Sequence, residues 1–224
     1  VDGQSKPPFD QNNLGLHVGD ESAQVLANRN RLKNNLNLPA DPCWLEQTHS
    51  DHCVIVENTS NRKADAAITK SPNHVLSIMT ADCLPITLCN IEGTEIAAIH
   101  AGWKGLAAGI IENTCNQMQS GSQSLMAWIG PAICESCFET GEEVIEIFSK
   151  RYSFSKDYFL PKAEKYLGNL PDLAEKILNN LGIKNVFKSN ACTFEQKKEF
   201  FSYRRESQTG RIATLIWFKT IQDL

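Results

Sequence analysis

The sequence predicts an α+β fold, a mixed β-sheet flanked by helices, with residues 1–224 forming one domain. Short β-rich apolar runs recur along the chain: CWLEQT, CVIV, DAAIT, VLSIM, ITLC, EIAAI and LMAWIG. Helical patterns interrupt them without the regular strand–helix alternation of a doubly wound parallel sheet. A chain of 224 residues, 42% hydrophobic, can bury a sizeable core, and no repeat or low-complexity linker divides it.

In chain order, the first helix is expected to start at Asp20 as N-cap, with Val25, Leu26, Arg29, Leu32 and Leu36 on one face and Pro39 limiting its end. The strand-like runs follow. ITLCNIEGTEIAAIH reads as a hairpin around the Gly-containing loop Asn90–Gly93. GLAAGIIENTCNQM is a helix carrying Leu106, Ile110, Ile111, Cys115 and Met118 as its apolar stripe. After LMAWIG, Thr140 and Glu143 have capping-box spacing for another helix. PDLAEKILNNLG is a helix with Pro171 at its first position and Gly182 just past its end. NVF, EFFSY and IATLIWF are the closing strands.

A net charge of -4 without a Lys/Arg run offers no electrostatic footprint for nucleic acid or an anionic membrane. No apolar stretch approaches the roughly 20 residues of a membrane span. The opening VDGQSKPPFD does not read as a signal peptide, and because it begins on Val, further N-terminal sequence is expected. Eight cysteines diluted in a chain of this length, several inside apolar segments, suit reduced thiols in the cytoplasm.

The stretch TADCLP places Asp82 and Cys83 between two apolar runs. If Cys89 pairs with Thr94 in the hairpin, Ile86 faces Ala97 and Cys83 faces His100. Opposed residues have Cβ atoms about 4.5–5.5 Å apart, close enough for a thiolate and an imidazole to share one metal ion. In LEQTHSDHC, His49 and His52 lie at a turn between strands and either could add a third ligand. Cys, His and His form a recognised zinc set that leaves a fourth position open. Asp82 could orient a ligand, transfer protons or close a turn, and Glu46 is a second proton-transfer candidate. The glycines of AGWKG mark a strand-to-helix turn whose N–H groups, with Lys104, could meet an anion. Cys134 and Cys137 have CxxC spacing with no second half, readable as a redox motif, half a metal site, or chance.

NLGLHVGD, NRNRL, WLEQTHS, TADCLPI, IAAIHAGWKGL, IGPAI and FFSYRRESQTGR, in that order, resemble the laccase-domain family from about Gly3 to Trp217. The resemblance implies a sandwich-like core of mixed sheets, similar to the catalytic domain of cytotoxic necrotizing factor. It implies zinc held by His49 (in QTHS), Cys83 (in ADC) and His100 (in HAGW). It also implies phosphorolysis of purine nucleosides (adenosine, inosine, guanosine, methylthioadenosine), with adenosine deamination at the same site. Catalysis would then rest on Cys83, His49, His100 and Asp82. Arg204, Arg205 and Arg211 from SYRRESQTGR, with Lys104, are candidates to hold phosphate. The protein is expected to act as a monomer on nucleosides and phosphate, without nucleic acid or membrane partners. The family's usual opening Thr/Ser-Arg-x-Gly-Gly segment is reduced here to Gly3-Gln4-Ser5, Lys104 stands where Arg is frequent, and Cys134 stands where a small residue is expected.

An oxidase reading conflicts with the ligand count, because multicopper centres use many histidines, commonly in His-x-His pairs, and this chain has five and no such pair. A stronger rival takes Cys83 as nucleophile and His100 as base of an amide hydrolase, as in relatives linked to removing serine from a peptidoglycan precursor. A third reading is a non-catalytic, zinc-stabilised interaction module.

Overall fold

The computed structural model describes residues 3–219. Its elements in order are α1 (Ser22–Asn35), β1 (Pro42–Cys43), β2 (Cys53–Ile55), β3 (Ala66–Thr69), β4 (Val75–Thr80), β5 (Leu84–Asn90) and β6 (Ile96–Ala101). Then follow α2 (Trp103–Ala108), α3 (Ile110–Gln117), β7 (Leu125–Ile129), β8 (Glu139–Thr140), α4 (Glu142–Arg151), β9 (Phe159–Lys162), β10 (Lys165–Gly168), α5 (Leu170–Asn180), β11 (Asn185–Lys188) and β12 (Ile212–Ile216). The α+β expectation holds. A six-stranded mixed sheet has the order β11-β7-β5-β6-β3-β2, a three-stranded sheet the order β1-β4-β12, and a small sheet the order β8-β10-β9.

The large sheet has two buried faces because its strands alternate between two apolar sets. Ile68, Leu84, Ile86, Ile99 and Ala101 pack under the helices with Leu106, Ile110, Phe148 and Leu173. Ala67, Ile96 and Ala98 face the other way and meet Leu76 and Ile78 of the three-stranded sheet. The second cluster makes a sheet-on-sheet sandwich. β4 and β5 are consecutive in sequence but belong to different sheets, so Ala81–Asp82–Cys83 is the corner where the chain changes layer.

The hairpin forms two residues out of the expected register. Ile86 faces Ile99 and Cys89 faces Ile96. Asn90 decides this: its N–H bonds the Glu95 carbonyl at 3.1 Å, and its side-chain oxygen accepts the N–H groups of Thr94 and Glu95 at 2.7 and 3.0 Å. Extending the observed register puts Cys83 opposite Gly102, not His100. An even slip preserves which face each side chain occupies, so Cys83 and His100 still share a face.

Other boundaries differ as well. Asp20 is not the N-cap of α1; its oxygens bond the Glu21 N–H and the Asn13 amide, and Glu21 occupies the N-cap position without a side-chain cap bond. The buried face of α1 contains Val25 and Asn28, while Leu26 and Leu36 are exposed. The expected helix over Gly105–Met118 is broken into α2 and α3 at Gly109, whose φ of 99° is left-handed. Its expected stripe is buried throughout. Thr140 pairs in β8 and α4 opens on Gly141, so no capping box forms. EFFSY is loop, not strand, because Arg205 gathers the carbonyls of Thr193, Phe194 and Phe200 around its guanidinium. Among the described residues no helix is long and apolar enough to cross a membrane.

A candidate metal centre at the sheet corner

The open end of the sandwich brings together the layer-changing corner, the end of β6 and the loop before β2. His49, Cys83 and His100 meet there, with their candidate ligand atoms all within 4.8 Å of one another. His52 is exposed and stays out of the group. His49 Nε2 lies 3.8 Å from Cys83 Sγ. Two tetrahedral ligands at ordinary Zn–S and Zn–N lengths would be about 3.6 Å apart.

Sequence reasoning missed the residue that organises this centre, Asp65. It is buried and directly opposes His100, whose N–H bonds its carbonyl at 2.7 Å and whose Nδ1 bonds its carboxylate at 2.8 Å. With Nδ1 so occupied, His100 has Nε2 left for a metal. The same carboxylate accepts three consecutive backbone N–H groups, from Thr48 (3.1 Å), His49 (2.9 Å) and Ser50 (2.7 Å), and the Ser50 hydroxyl at 2.6 Å. These bonds hold His49 at a φ of 61°, a left-handed conformation that few non-glycine residues adopt. Its only sequence signal is an acid immediately before the apolar strand AAIT, which resembles an ordinary strand-start residue.

Gln47 fastens the same loop to β4, bonding both the N–H and the carbonyl of Met79 at 2.8 and 2.7 Å. Gly102 completes the cradle by having no side chain. A Cβ there would sit 2.7 Å from His49 Cδ2 and 3.1 Å from Cys83 Sγ. The donor set, the protected ring nitrogen and this close approach all fit a thiophilic divalent cation.

Without metal, burial would raise the Cys83 thiol, but bonds and charge from His100 and His49 outweigh it and bring the pKa to about 6. Burial opposes a charged His100, yet Asp65 and Cys83 prevail and lift it to about 9. Burial likewise works against the Asp65 carboxylate, and bonds from His100 and Ser50 hold it well below the usual range. Without metal, these directions favour a thiolate–imidazolium pair braced by a carboxylate.

Asp82 sits at the corner with a φ of 92°. Its two oxygens accept the Thr193 hydroxyl (2.7 Å) and the Arg204 N–H (2.6 Å), and its carbonyl accepts the Ile133 N–H (3.0 Å). Although it lines the cleft, its contacts are those of an anchor.

A cleft of about 590 Å³ opens over the cluster, with Trp103, Phe138 and Tyr203 among its lining residues. Lys104, Arg204 and Arg211 also line it. Arg211 Nη1 is fixed by the Thr209 and Gly210 carbonyls at 3.0 and 2.9 Å, leaving Nη2 and Nε for a ligand. Arg204 bonds the carbonyls of Cys137 and Glu139. Arg205 is not brought to the cleft; its guanidinium is spent on the three carbonyls named above. Glu46 also lies away, exposed, its backbone paired with Lys63 in an isolated parallel β-bridge. His17, given no role from sequence, lines the cleft, its pKa lowered by burial and then by Arg211 and Arg29. The expected anion contact at the strand-to-helix turn rests on a helix of only six residues, too short for a sizeable dipole. A second cleft of about 610 Å³ lies beside α4 and includes none of the three clustered ligands.

A family described as multi-copper polyphenol oxidoreductase laccase matches residues 1–219. The chain is 42% identical over 219 residues to purine nucleoside phosphorylase YfiH of Escherichia coli, covering 97% of this chain and 90% of that one. It is 44% identical over 221 residues to a purine nucleoside phosphorylase of Haemophilus influenzae, with 97% and 91% covered. Protein NMB0706 of Neisseria meningitidis superposes with a TM-score of 0.93 at 36% identity, over 98% of this chain and 91% of that one. On a match that spans nearly every residue, this chain belongs to the family described as multi-copper polyphenol oxidoreductase laccase.

Proposed function

We propose that the chain is a zinc-dependent purine nucleoside phosphorylase that also deaminates adenosine. The observation carrying this reading is the convergence of His49, Cys83 and His100 on the floor of a cleft that also presents cationic side chains and aromatic rings. The names of the relatives from Escherichia coli and Haemophilus influenzae support the phosphorylase part. Despite the family's description, two clustered histidines and a cysteine suit one thiophilic ion better than a multi-copper assembly.

Trp103 and Tyr203 offer flat faces for a purine, and the cleft volume lies within the usual ligand-site range of about 300–1,000 Å³. Arg211, Lys104 and Arg204 would hold phosphate near the sugar. Arg211 provides a two-pronged grip and Lys104 a point charge. Arg205 leaves this set and is assigned to holding the loop. Asp82 acts by positioning Cys83, since both its oxygens are already engaged. Zinc held by His49, Cys83 and His100 would supply a Lewis acid and acidify water for deamination. Asp65 would keep the His100 tautomer correct and raise its basicity toward the ion.

A specific observation favours a second reading. Asp65, His100 and Cys83 have the order and proximity of a cysteine-hydrolase triad, with a metal-free thiol already near pKa 6. Such an enzyme would act on an amide, for instance serine in a peptidoglycan precursor. Turnover of adenosine by zinc-loaded protein, with and without phosphate, tests both readings. Adenine formed only with phosphate supports the phosphorylase, and inosine in either condition supports the deaminase. Neither product from folded, zinc-bound protein would leave the hydrolase.

A further inference from the structure

A second thiol cluster lies outside the site just described and has no part in its chemistry. Cys134 and Cys137 bracket a single turn of 3-10 helix, and Cys192 comes from the loop after β11. Their sulfurs lie within 4.8 Å of one another. The two loops are joined by backbone: Thr193 N–H donates to the Ala132 carbonyl at 3.0 Å, and Ala132 N–H to that of Ala191 at 3.2 Å. Cys134 N–H points at Cys192 Sγ at 3.4 Å, the kind of contact that favours a thiolate. A carboxylate stands at its edge: Glu195 Oε1 lies 3.7 Å from Cys137 Sγ, outside the set of three mutually close sulfurs.

We propose that Cys134, Cys137, Cys192 and Glu195 form a second, structural binding site for a thiophilic divalent cation of the zinc class. Four protein donors, three of them sulfur, match the closed tetrahedral pattern of structural zinc. Tetrahedral ligation at ordinary bond lengths sets sulfur–sulfur separations near 3.8 Å and sulfur–oxygen separations near 3.5 Å, so the Cys137–Glu195 contact already lies within a few tenths of an ångström. The carboxylate is exposed and can swing into place. Binding would release the thiol protons to solvent and leave four negative ligands around one dication. Two guanidinium groups stand by to offset that excess. Arg204 donates to the Cys137 carbonyl at 3.3 Å, and Arg205 to those of Thr193 and Phe194 at 2.9 and 2.8 Å.

The site would brace the first one from behind. Ile133 and Thr193, each next to a cluster cysteine, are two of the three residues that bond Asp82, Arg204 being the third. Tying their loops together through an ion would stiffen the corner that presents Cys83. Half a CxxC signal is visible in sequence; the missing half is Cys192, brought in only by tertiary structure.

The test uses the full chain carrying Cys83→Ala, which removes a ligand from the first centre. After reduction, chelator stripping and reloading with zinc, that protein should retain one tightly held ion per chain, and the parent two. Cobalt in place of zinc should give thiolate charge-transfer absorption in the Cys83→Ala protein, and Cys134→Ser/Cys192→Ser should abolish it. Iodoacetamide mapping needs no further variant: zinc should protect Cys134, Cys137 and Cys192 together. No retained metal, no charge-transfer band and no zinc-dependent protection would overturn the proposal. So would a zinc-free protein two mass units lighter in which two cluster cysteines are linked as a disulfide.

Discussion

Asp65→Asn tests the residue that braces the proposed metal centre. The side chain keeps its shape, but one oxygen becomes an NH2 group. Oδ1 now accepts from His49 N–H and His100 Nδ1, and Oδ2 from the N–H and hydroxyl groups of both Thr48 and Ser50. Whichever oxygen is replaced, at least two donors meet another donor in a fully buried place. Removing one partner from a buried charged network costs about 3–5 kcal/mol, which for a chain of this size lowers the thermal midpoint by about 6–20 °C. Asparagine can also leave His100 in the wrong tautomer and frees the loop holding His49, so zinc affinity should fall about 10–100-fold. Competition with a chromogenic chelator measures the affinity, and thermal unfolding of the metal-free protein measures the stability. Zinc binding within twofold of the parent would refute the argument that Asp65 organises the ligands.

Gly102→Ala should cost on the order of tenfold in zinc affinity while leaving the far-UV circular dichroism unchanged, because the added Cβ meets His49 and Cys83 and not the core; unchanged affinity would mean that the cradle can yield. The paired substitutions Arg211→Ala and Arg205→Ala should separate two kinds of arginine. The first should raise the KM for phosphate about 10–100-fold by removing charge-assisted bonds. The second should lower stability by about 2 kcal/mol through lost bonds to carbonyls, with the phosphate KM unchanged. The reverse pattern, read from steady-state kinetics and thermal unfolding, would show the assignments to be exchanged.

Much of the candidate site was legible because Cys83 and His100 lie in short segments whose period constrains them. Cys83 and His100 flank a hairpin recognisable from alternating β-rich arms around a Gly-containing turn. The pairing was misjudged by two residues, yet the face was right, since an even slip leaves every side chain on its own side. Asp65 escaped notice because its importance lies in six donors drawn to it from distant segments. Arg205 misled for the opposite reason: a guanidinium in a loop suits an anion or a knot of carbonyls equally well until its neighbours are known.

By itself, the sequence determined the α+β class, most of the strands, the apolar stripes of the later helices and the shared face of Cys83 and His100. Those features follow from local period and residue chemistry, which act within a few positions of chain. Tertiary structure alone decided that β4 and β5 lie in different layers with Asp82 at the corner. It also decided that His49 and not His52 enters the cluster, that Asp65 stands behind His100, and that Cys192 joins Cys134 and Cys137. Each of those outcomes depends on contacts between residues far apart in sequence, whose geometry is set by the packing of whole sheets.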